Sequence, residues 1–207
     1  MNRYFFQNGF IPQYNKIPEL LYLMEDAIDL FNQQEVFLLE NNYHETAMAH
    51  RLALHIDDLI KLDSRFCDMY TDIEYNRGAD GNTHAAKYLI DYNDEKHDIR
   101  LDLVVSGRFH DEQFGFQNLL CAEIKKQSNQ RNNAWDVDRN RLKQLTAMDS
   151  QGTNRPLFGY FIGFFILVDS TRMWIENAYD FIGEIPKIDG IRRLFAFDNR
   201  YDSYQYG

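Results

Sequence analysis

The sequence is poor in cysteine and has no long apolar segment. Its 207 residues include only two cysteines, Cys67 and Cys121. Two thiols cannot build the disulfide framework of a small secreted domain, so we expect a reducing compartment, the cytoplasm. The longest apolar run, residues 157–168, is too short to cross a bilayer and is typical of a buried strand. The first ten residues lack the apolar stretch of a signal peptide, and we expect no membrane association.

Positive charge is also scarce. The 22 lysines and arginines are outnumbered by 32 aspartates and glutamates, which gives a formal net charge of −10 at pH 7. Such a chain is not suited to bind nucleic acid over its whole surface, although a local basic site remains compatible with it. Hydrophobic residues make up 44% of the chain, which is enough to build a core. The length suits a single domain over residues 1–207.

The spacing of hydrophobic residues predicts an α/β fold. Helical periodicity occurs at 17–40, 43–62 and 134–148, while segments typical of strands lie at 71–77, 86–92, 99–108, 118–126 and 157–168. Residues 94–98 are expected to form a turn, and residues 171–178 suit either a strand or a short helix. The strands at 71–77, 99–108 and 118–126 follow one another without a helix between them, which predicts an antiparallel meander.

The segment LLCAEIKK, residues 119–126, begins as an apolar strand and ends in charged residues. Strand alternation places Glu123 and Lys125 on one face. Asp102 interrupts the apolar segment RLDLVV of the preceding strand, where an acid is costly without a partner. If the two strands pair in register, Asp102 and Glu123 become neighbours that need a cation between them. Their carboxylates and the carbonyl of Ile124 are the oxygen ligands that Mg²⁺ or Mn²⁺ prefers.

A simpler interpretation of the charged triplet is a surface ion pair between Glu123 and Lys125 at a strand end. Asp102 favours the functional interpretation, because it adds a second carboxylate within an otherwise apolar strand. Lys125 would then be placed to stabilise a metal-bound hydroxide or a phosphate oxygen. Carboxylates, a metal ion and an ammonium are the groups needed for hydrolysis of a phosphodiester.

Asp102, the triplet Glu123-Ile124-Lys125 and a preceding helix that carries Glu45 resemble the PD-(D/E)xK (restriction-endonuclease-like) nuclease superfamily. The resemblance implies that Asp102 and Glu123 hold Mg²⁺ or Mn²⁺ with the carbonyl of Ile124, and that Lys125 positions or activates water. Glu45 matches an additional ligand that some members take from the first helix. An acid in the first turn of a helix is equally well explained by the helix dipole.

The resemblance covers residues 43–168 and implies a restriction-endonuclease-like core. That core consists of a helix, a three-strand antiparallel meander, a second helix and a further strand. Residues 1–42 then form an N-terminal helical extension, and residues 169–207 form a C-terminal extension. The segments HRLALHIDDL, DIEYNR and LLCAEIKK are similar to uncharacterised bacterial branches of this superfamily.

Basic residues gather around the predicted site. Lys126 follows the motif, and the helix at 134–148 carries Arg139 and Lys143 one turn apart, so these side chains suit contacts with nucleic-acid phosphates. Arg77, after another strand, is a further candidate. The simpler interpretation of the helix is an amphipathic one whose leucines pack inwards while its charges face water.

These features predict a metal-dependent nuclease that hydrolyses phosphodiester bonds, with DNA a more suitable substrate than RNA. The expected partners are nucleic acid and either a second copy of the chain or another protein. Two other functions fit the sequence: a catalytically idle binding or assembly module, and a defence or phage-related effector that a partner activates. The net charge of −10 favours the idle module, whereas the intact Asp, Glu and Lys favour the nuclease.

Overall fold

The protein is a mixed α/β structure in the computed structural model, which describes residues 6–7, 11–12, 17–63, 69–75, 88–90, 96–107, 118–129, 134–147 and 160–186. The helices in this part of the chain are α1 (Ile17–Gln34), α2 (Val36–Glu40), α3 (Glu45–Leu62) and α4 (Ala134–Thr146). The strands are β1 (Phe6–Gln7), β2 (Ile11–Pro12), β3 (Met69–Tyr75), β4 (Tyr88–Ile90), β5 (Lys96–Asp98), β6 (Leu101–Gly107), β7 (Asn118–Lys126), β8 (Ile162–Val168), β9 (Met173–Asp180) and β10 (Gly183–Ile185). A 3₁₀ turn, Gln127–Asn129, follows β7.

Six strands form one sheet in the order β10-β9-β8-β7-β6-β3. β3, β6 and β7 pair antiparallel, as predicted for the meander, and the short pair β4–β5 lies between β3 and β6 in the sequence. β8 runs parallel to β7, with Glu123 opposite Phe165 and Lys125 opposite Leu167. Parallel neighbours require a crossover connection, and α4 lies within it. The sheet is therefore mixed, and β7 is one of its two central strands.

Helices cover both faces of this sheet. α1 and α3 share a hydrophobic core with Ala122 and Ile124 of β7. On the other face, Leu142 and Leu145 of α4 share a second core with Cys121, among other residues. The alternation of side chains along β7 therefore directs one set of residues towards α1 and α3, and the other set towards α4.

α4 approaches the sheet closely at one glycine of β8. A Cβ atom on Gly163 would lie 3.3 Å from the Cβ and Cδ2 atoms of Leu142 and 3.4 Å from Cγ2 of Thr146. The two separations of 3.3 Å are tighter than ordinary van der Waals contact, so a side chain at Gly163 would require Leu142 of α4 to give way. The glycine thus allows α4 to lie directly over β7 and β8.

The prediction of one continuous helix over 17–40 is wrong, because the chain leaves helical geometry at Glu35 (φ −107°, ψ 27°). There the buried Glu35 carboxylate accepts hydrogen bonds from Arg51 Nε at 2.8 Å and pairs with His55 Nε2 at 3.2 Å. This ion-pair cluster joins the start of α2 to α3.

The structure also establishes the secondary structure of two segments, one predicted as a turn and one left open. The turn predicted at 94–98 is wrong, since Lys96–Asp98 forms a strand that pairs with Tyr88–Ile90. Residues 171–178, left open between strand and helix, belong largely to β9, which pairs with β8. Among the described residues, no helix has the length and apolar character needed to cross a membrane.

Candidate functional site

Asp102 and Glu123 lie side by side on neighbouring strands. Leu103 of β6 is opposite Ala122 of β7, which sets Asp102 level with Glu123 one residue further along. The Asp102 Oδ2 atom accepts a hydrogen bond from the Ile124 backbone N–H at 2.8 Å. This bond fixes the Asp102 side chain across the strand pair, on the face that α4 covers.

The ammonium of Lys125 lies among three carboxylates. Its Nζ atom is 3.2 Å from Glu123 Oε2, 3.6 Å from Asp102 Oδ2 and 3.5 Å from Asp138 Oδ2. Asp138 belongs to α4, so the group joins three elements: β6, β7 and the crossover helix. The structure therefore brings together the three residues that the motif singled out and adds a fourth.

α4 contributes a second cation to the cluster. Arg141 Nη1 donates a hydrogen bond to Glu123 Oε1 at 2.8 Å and lies 3.3 Å from Asp138 Oδ1. Neither α4 residue belongs to the sequence motif. One signal was available: Asp138 precedes Leu142 by four residues and Leu145 by seven, so it continues the buried stripe of its helix.

The cluster has one more negative charge than it has positive charges. Three carboxylates, Asp102, Glu123 and Asp138, face two cations, Lys125 and Arg141. Glu123 is the most buried of them, with 1% of its surface exposed. Burial, followed by repulsion from Asp102, raises the pKa of Glu123 to about 7, although the two cations act in the opposite direction. The most buried carboxylate of the cluster therefore resists ionisation.

The pKa of Lys125 is also raised, but from a different balance of causes. Burial alone would lower the pKa of its ammonium, but the surrounding carboxylates, Glu123 first, outweigh burial and raise that pKa well above its ordinary value. The ammonium is held by three negative groups at once. Lys125 is therefore charged at neutral pH.

The donor chemistry of this cluster suits a hard divalent cation. Two neighbouring carboxylates and a backbone carbonyl are oxygen ligands, and Mg²⁺ commonly keeps several waters in its remaining positions. Within the described ranges, no group of three or more His, Cys, Asp or Glu residues has the arrangement of a metal cage. A cation at this site would therefore rely on Asp102, Glu123, the Ile124 carbonyl and solvent.

Glu45, the first residue of α3, contacts the end of β7, where Lys126 lies. The Glu45 Oε1 atom accepts hydrogen bonds from the Lys126 backbone N–H at 2.9 Å and from Asn129 Nδ2 at 3.3 Å. The Lys126 ammonium donates to the Asn42 carbonyl at 2.9 Å. In the described residues these bonds tie the start of α3 to β7, and they do not involve the carboxylates that surround Lys125.

Arg139 and Lys143 lie on a different side of α4 from Arg141. Arg139 donates to Asn177 Oδ1 at 3.0 Å, and its guanidinium lies 4.7 Å from the centre of the Phe165 ring. Lys143 Nζ lies 5.4 Å from the ring centre of Tyr179. Contact with phosphates stays a prediction for both residues. Arg77 lies outside the described residues.

The backbone is strained opposite Asp102. Glu74 has a φ angle of 52°, and it falls between the pairs Ile73–Leu103 and Tyr75–Leu101, level with Asp102. Its carboxylate pairs with Arg100. A left-handed conformation in a residue with a side chain costs on the order of 1 kcal/mol or more, and such strain is concentrated at functional sites.

The comparisons with known proteins provide no identification. The chain matches no family model, no curated protein and no solved structure. A functional conclusion therefore rests on the residues of the cluster and on the fold that positions them.

Proposed function

We propose that the protein is a divalent-metal-dependent nuclease with a restriction-endonuclease-like core. The observation that carries the proposal is the convergence of Asp102, Glu123 and Lys125 on adjacent strands, with the Lys125 ammonium 3.2 Å from Glu123 and 3.6 Å from Asp102. This is the juxtaposition that the resemblance to PD-(D/E)xK nucleases implies for its metal ligands and lysine.

The order of elements supports the same proposal. α3 is followed by the meander β3–β6–β7, then by α4 and by β8, which pairs with β7. The resemblance implies a helix, a three-strand meander, a second helix and a further strand in this order. In the described residues, α1 packs with α3, and β9 and β10 extend the same sheet beyond β8.

The side chains have distinct roles in the proposed reaction. Asp102 and Glu123, with the Ile124 carbonyl, would hold Mg²⁺ or Mn²⁺, which supplies Lewis acidity and lowers the pKa of a bound water. The N–H of Ile124 fixes the orientation of Asp102, and Lys125 offers a permanent positive charge to a phosphate oxygen. Nucleic acid, with DNA favoured over RNA, is the proposed substrate. Its backbone carries the phosphodiester that these groups would hydrolyse.

One observation favours an idle binding module as the second candidate. Both oxygens of the Glu123 carboxylate already have cationic partners, Arg141 and Lys125, within the protein. A cluster satisfied in this way does not require a metal ion for its stability. The two candidates differ in whether the excess negative charge of the cluster attracts a divalent cation.

Nuclease assays distinguish these candidates. The protein would be incubated with plasmid, single-stranded DNA and RNA, with Mn²⁺, Mg²⁺ or EDTA, alongside Glu123→Ala and Lys125→Ala. Lys61→Gln is a matched charge control, because Lys61 lies in the last turn of α3, at the opposite end from Glu45, and its side chain is 69% exposed. We expect metal-dependent cleavage that both site substitutions abolish and the control retains.

Two outcomes would contradict the proposal. Cleavage that survives both substitutions would show that a different site, or a contaminant, is responsible. The absence of both cleavage and Mn²⁺ binding by calorimetry would support the idle module instead. Lys126→Ala adds a graded test. If Lys126 contacts a phosphate, this substitution would weaken nucleic-acid binding and reduce its salt dependence without removing the chemistry.

A further inference from the structure

Arg141 is hydrogen-bonded to the Glu123 carboxylate, which the proposed metal ion would also bind. Its Nη1 atom is 2.8 Å from Glu123 Oε1, while the other oxygen of Glu123 lies 3.2 Å from Lys125 Nζ. Charge-assisted hydrogen bonds of this kind are the strong ones, and Glu123 is almost fully buried. Each oxygen of Glu123 therefore already has a cation beside it.

A divalent ion and the guanidinium would compete for this oxygen. Mg²⁺ binds carboxylate oxygens at about 2.1 Å, so the ion and the guanidinium would approach within about 5 Å if Arg141 stayed in place. The two would repel strongly in a site of low exposure. With both cations retained, a divalent ion would also reverse the excess negative charge of the cluster.

Asp138 provides a second position for the displaced side chain. It lies one helical turn before Arg141, with Oδ1 3.3 Å from Arg141 Nη1, and only 14% of its side chain is exposed. A guanidinium has five N–H donors, so Arg141 can leave Glu123 while it keeps its ion pair with Asp138. This movement stays within α4 and does not require the strands to separate.

We propose that Arg141 is an internal counter-ion of Glu123 which a divalent cation must displace, so that α4 sets the metal affinity of the site. The proposal rests on the proposed metal-dependent function and adds a positioning residue to it. In the free protein Arg141 holds the Glu123 carboxylate in place and neutralises part of its charge. After displacement the guanidinium remains beside the site, bound to Asp138.

Metal binding without nucleic acid tests this directly. Mn²⁺ affinity would be measured by isothermal titration calorimetry at pH 8.5 for the wild type, Arg141→Gln, Arg141→Lys and the control Lys61→Gln. Removal of one positive charge next to the ion should tighten Mn²⁺ binding at least roughly tenfold in Arg141→Gln. Arg141→Lys retains the charge and should stay near the wild type, as should the control.

The outcomes separate this proposal from the proposed function. If wild type binds Mn²⁺ and Arg141→Gln binds it equally or more weakly, the counter-ion proposal is overturned while the metal site survives. If neither protein binds Mn²⁺, the metal site itself fails, and this proposal fails with it.

A measurement on the wild type avoids any effect of substitution on folding. The Arg141 guanidinium signal in ¹⁵N NMR, assigned by its loss in Arg141→Lys, should shift as Mg²⁺ is added, because the bond to Glu123 breaks. A guanidinium signal that does not respond to saturating Mg²⁺ would overturn the displacement.

Discussion

Replacement of Glu123 by glutamine should stabilise the metal-free protein, although it removes a residue of the proposed site. The pKa of this carboxyl rises from 4.5 to about 7 on folding, with burial as the first cause and the Asp102 charge as the second. Because the folded-state pKa is the higher one, the folded state binds the proton more tightly than the unfolded chain. The ionised carboxylate therefore destabilises the fold, increasingly from about pH 4.5 to pH 7 and fully above pH 7.

The magnitude follows from that pKa difference. At roughly 1.4 kcal/mol per pKa unit, the rise from 4.5 to about 7 costs the folded state about 3 kcal/mol at pH 8. Glutamine is a neutral side chain of nearly the same shape, and it leaves two carboxylates facing two cations. We expect Glu123→Gln to raise the free energy of unfolding by about 2 to 3 kcal/mol at pH 8. At pH 5 the gain should fall to about 1 kcal/mol or less.

Urea unfolding followed by circular dichroism, in EDTA at pH 5 and pH 8, measures this difference. Glu40→Gln removes one exposed carboxylate and serves as the matched control, with an expected change within about 0.5 kcal/mol. For a chain of this size the predicted gain corresponds to a rise in Tm of roughly 4 to 12 °C. If Glu123→Gln destabilises the protein at pH 8, the ion pairs with Arg141 and Lys125 outweigh burial, and the charge argument is refuted.

Three further predictions concern the metal site, the helix above it and the distant ion-pair cluster. Mn²⁺ affinity should fall roughly tenfold per pH unit below pH 7, because protons compete for Glu123; a calorimetric affinity that is flat from pH 5.5 to 8 would contradict this. Gly163→Ala should cost about 1 to 3 kcal/mol in urea unfolding, since its Cβ meets Leu142, and unchanged stability would mean that α4 shifts freely. Glu35→Ala should cost about 2 to 3 kcal/mol, because buried His55 and the Arg51 guanidinium lose their carboxylate; a loss equal to that of Glu40→Gln would show that the cluster contributes nothing.

Local periodicity was sufficient to predict the strands that form the site. Alternation along residues 118–126 indicated a strand with the bounds that β7 has, and it placed Glu123 and Lys125 on one face. The position of Asp102 in the preceding strand followed from the same period and from antiparallel pairing. These inferences need only neighbouring residues and one strand pair, so few alternatives compete with them.

The residues from α4 could not be placed in the same way. Asp138 and Arg141 reach the cluster because the crossover between parallel strands lays their helix on this face and because Gly163 allows a close approach. Both conditions depend on long-range packing. The break at Glu35 has a similar origin, since the apolar pattern continues through it while the carboxylate turns towards Arg51.

The cluster is not a charge-matched ion-pair network. A network that served stability alone would match its charges, and a glutamine at position 123 would leave two carboxylates against two cations. Instead the cluster has one carboxylate in excess, and the ionised form of Glu123, its most buried carboxylate, opposes folding above about pH 7. A positive ligand would offset that cost, and its binding would stabilise the fold according to its concentration and affinity. We therefore expect two effects from the same unbalanced charge: a higher free energy of unfolding in Glu123→Gln, and a rise in the Tm of the wild type when Mn²⁺ binds. If saturating Mn²⁺ raises the Tm of the wild type but not that of Glu123→Gln, the carboxylate that weakens the free protein is the one that binds the ion.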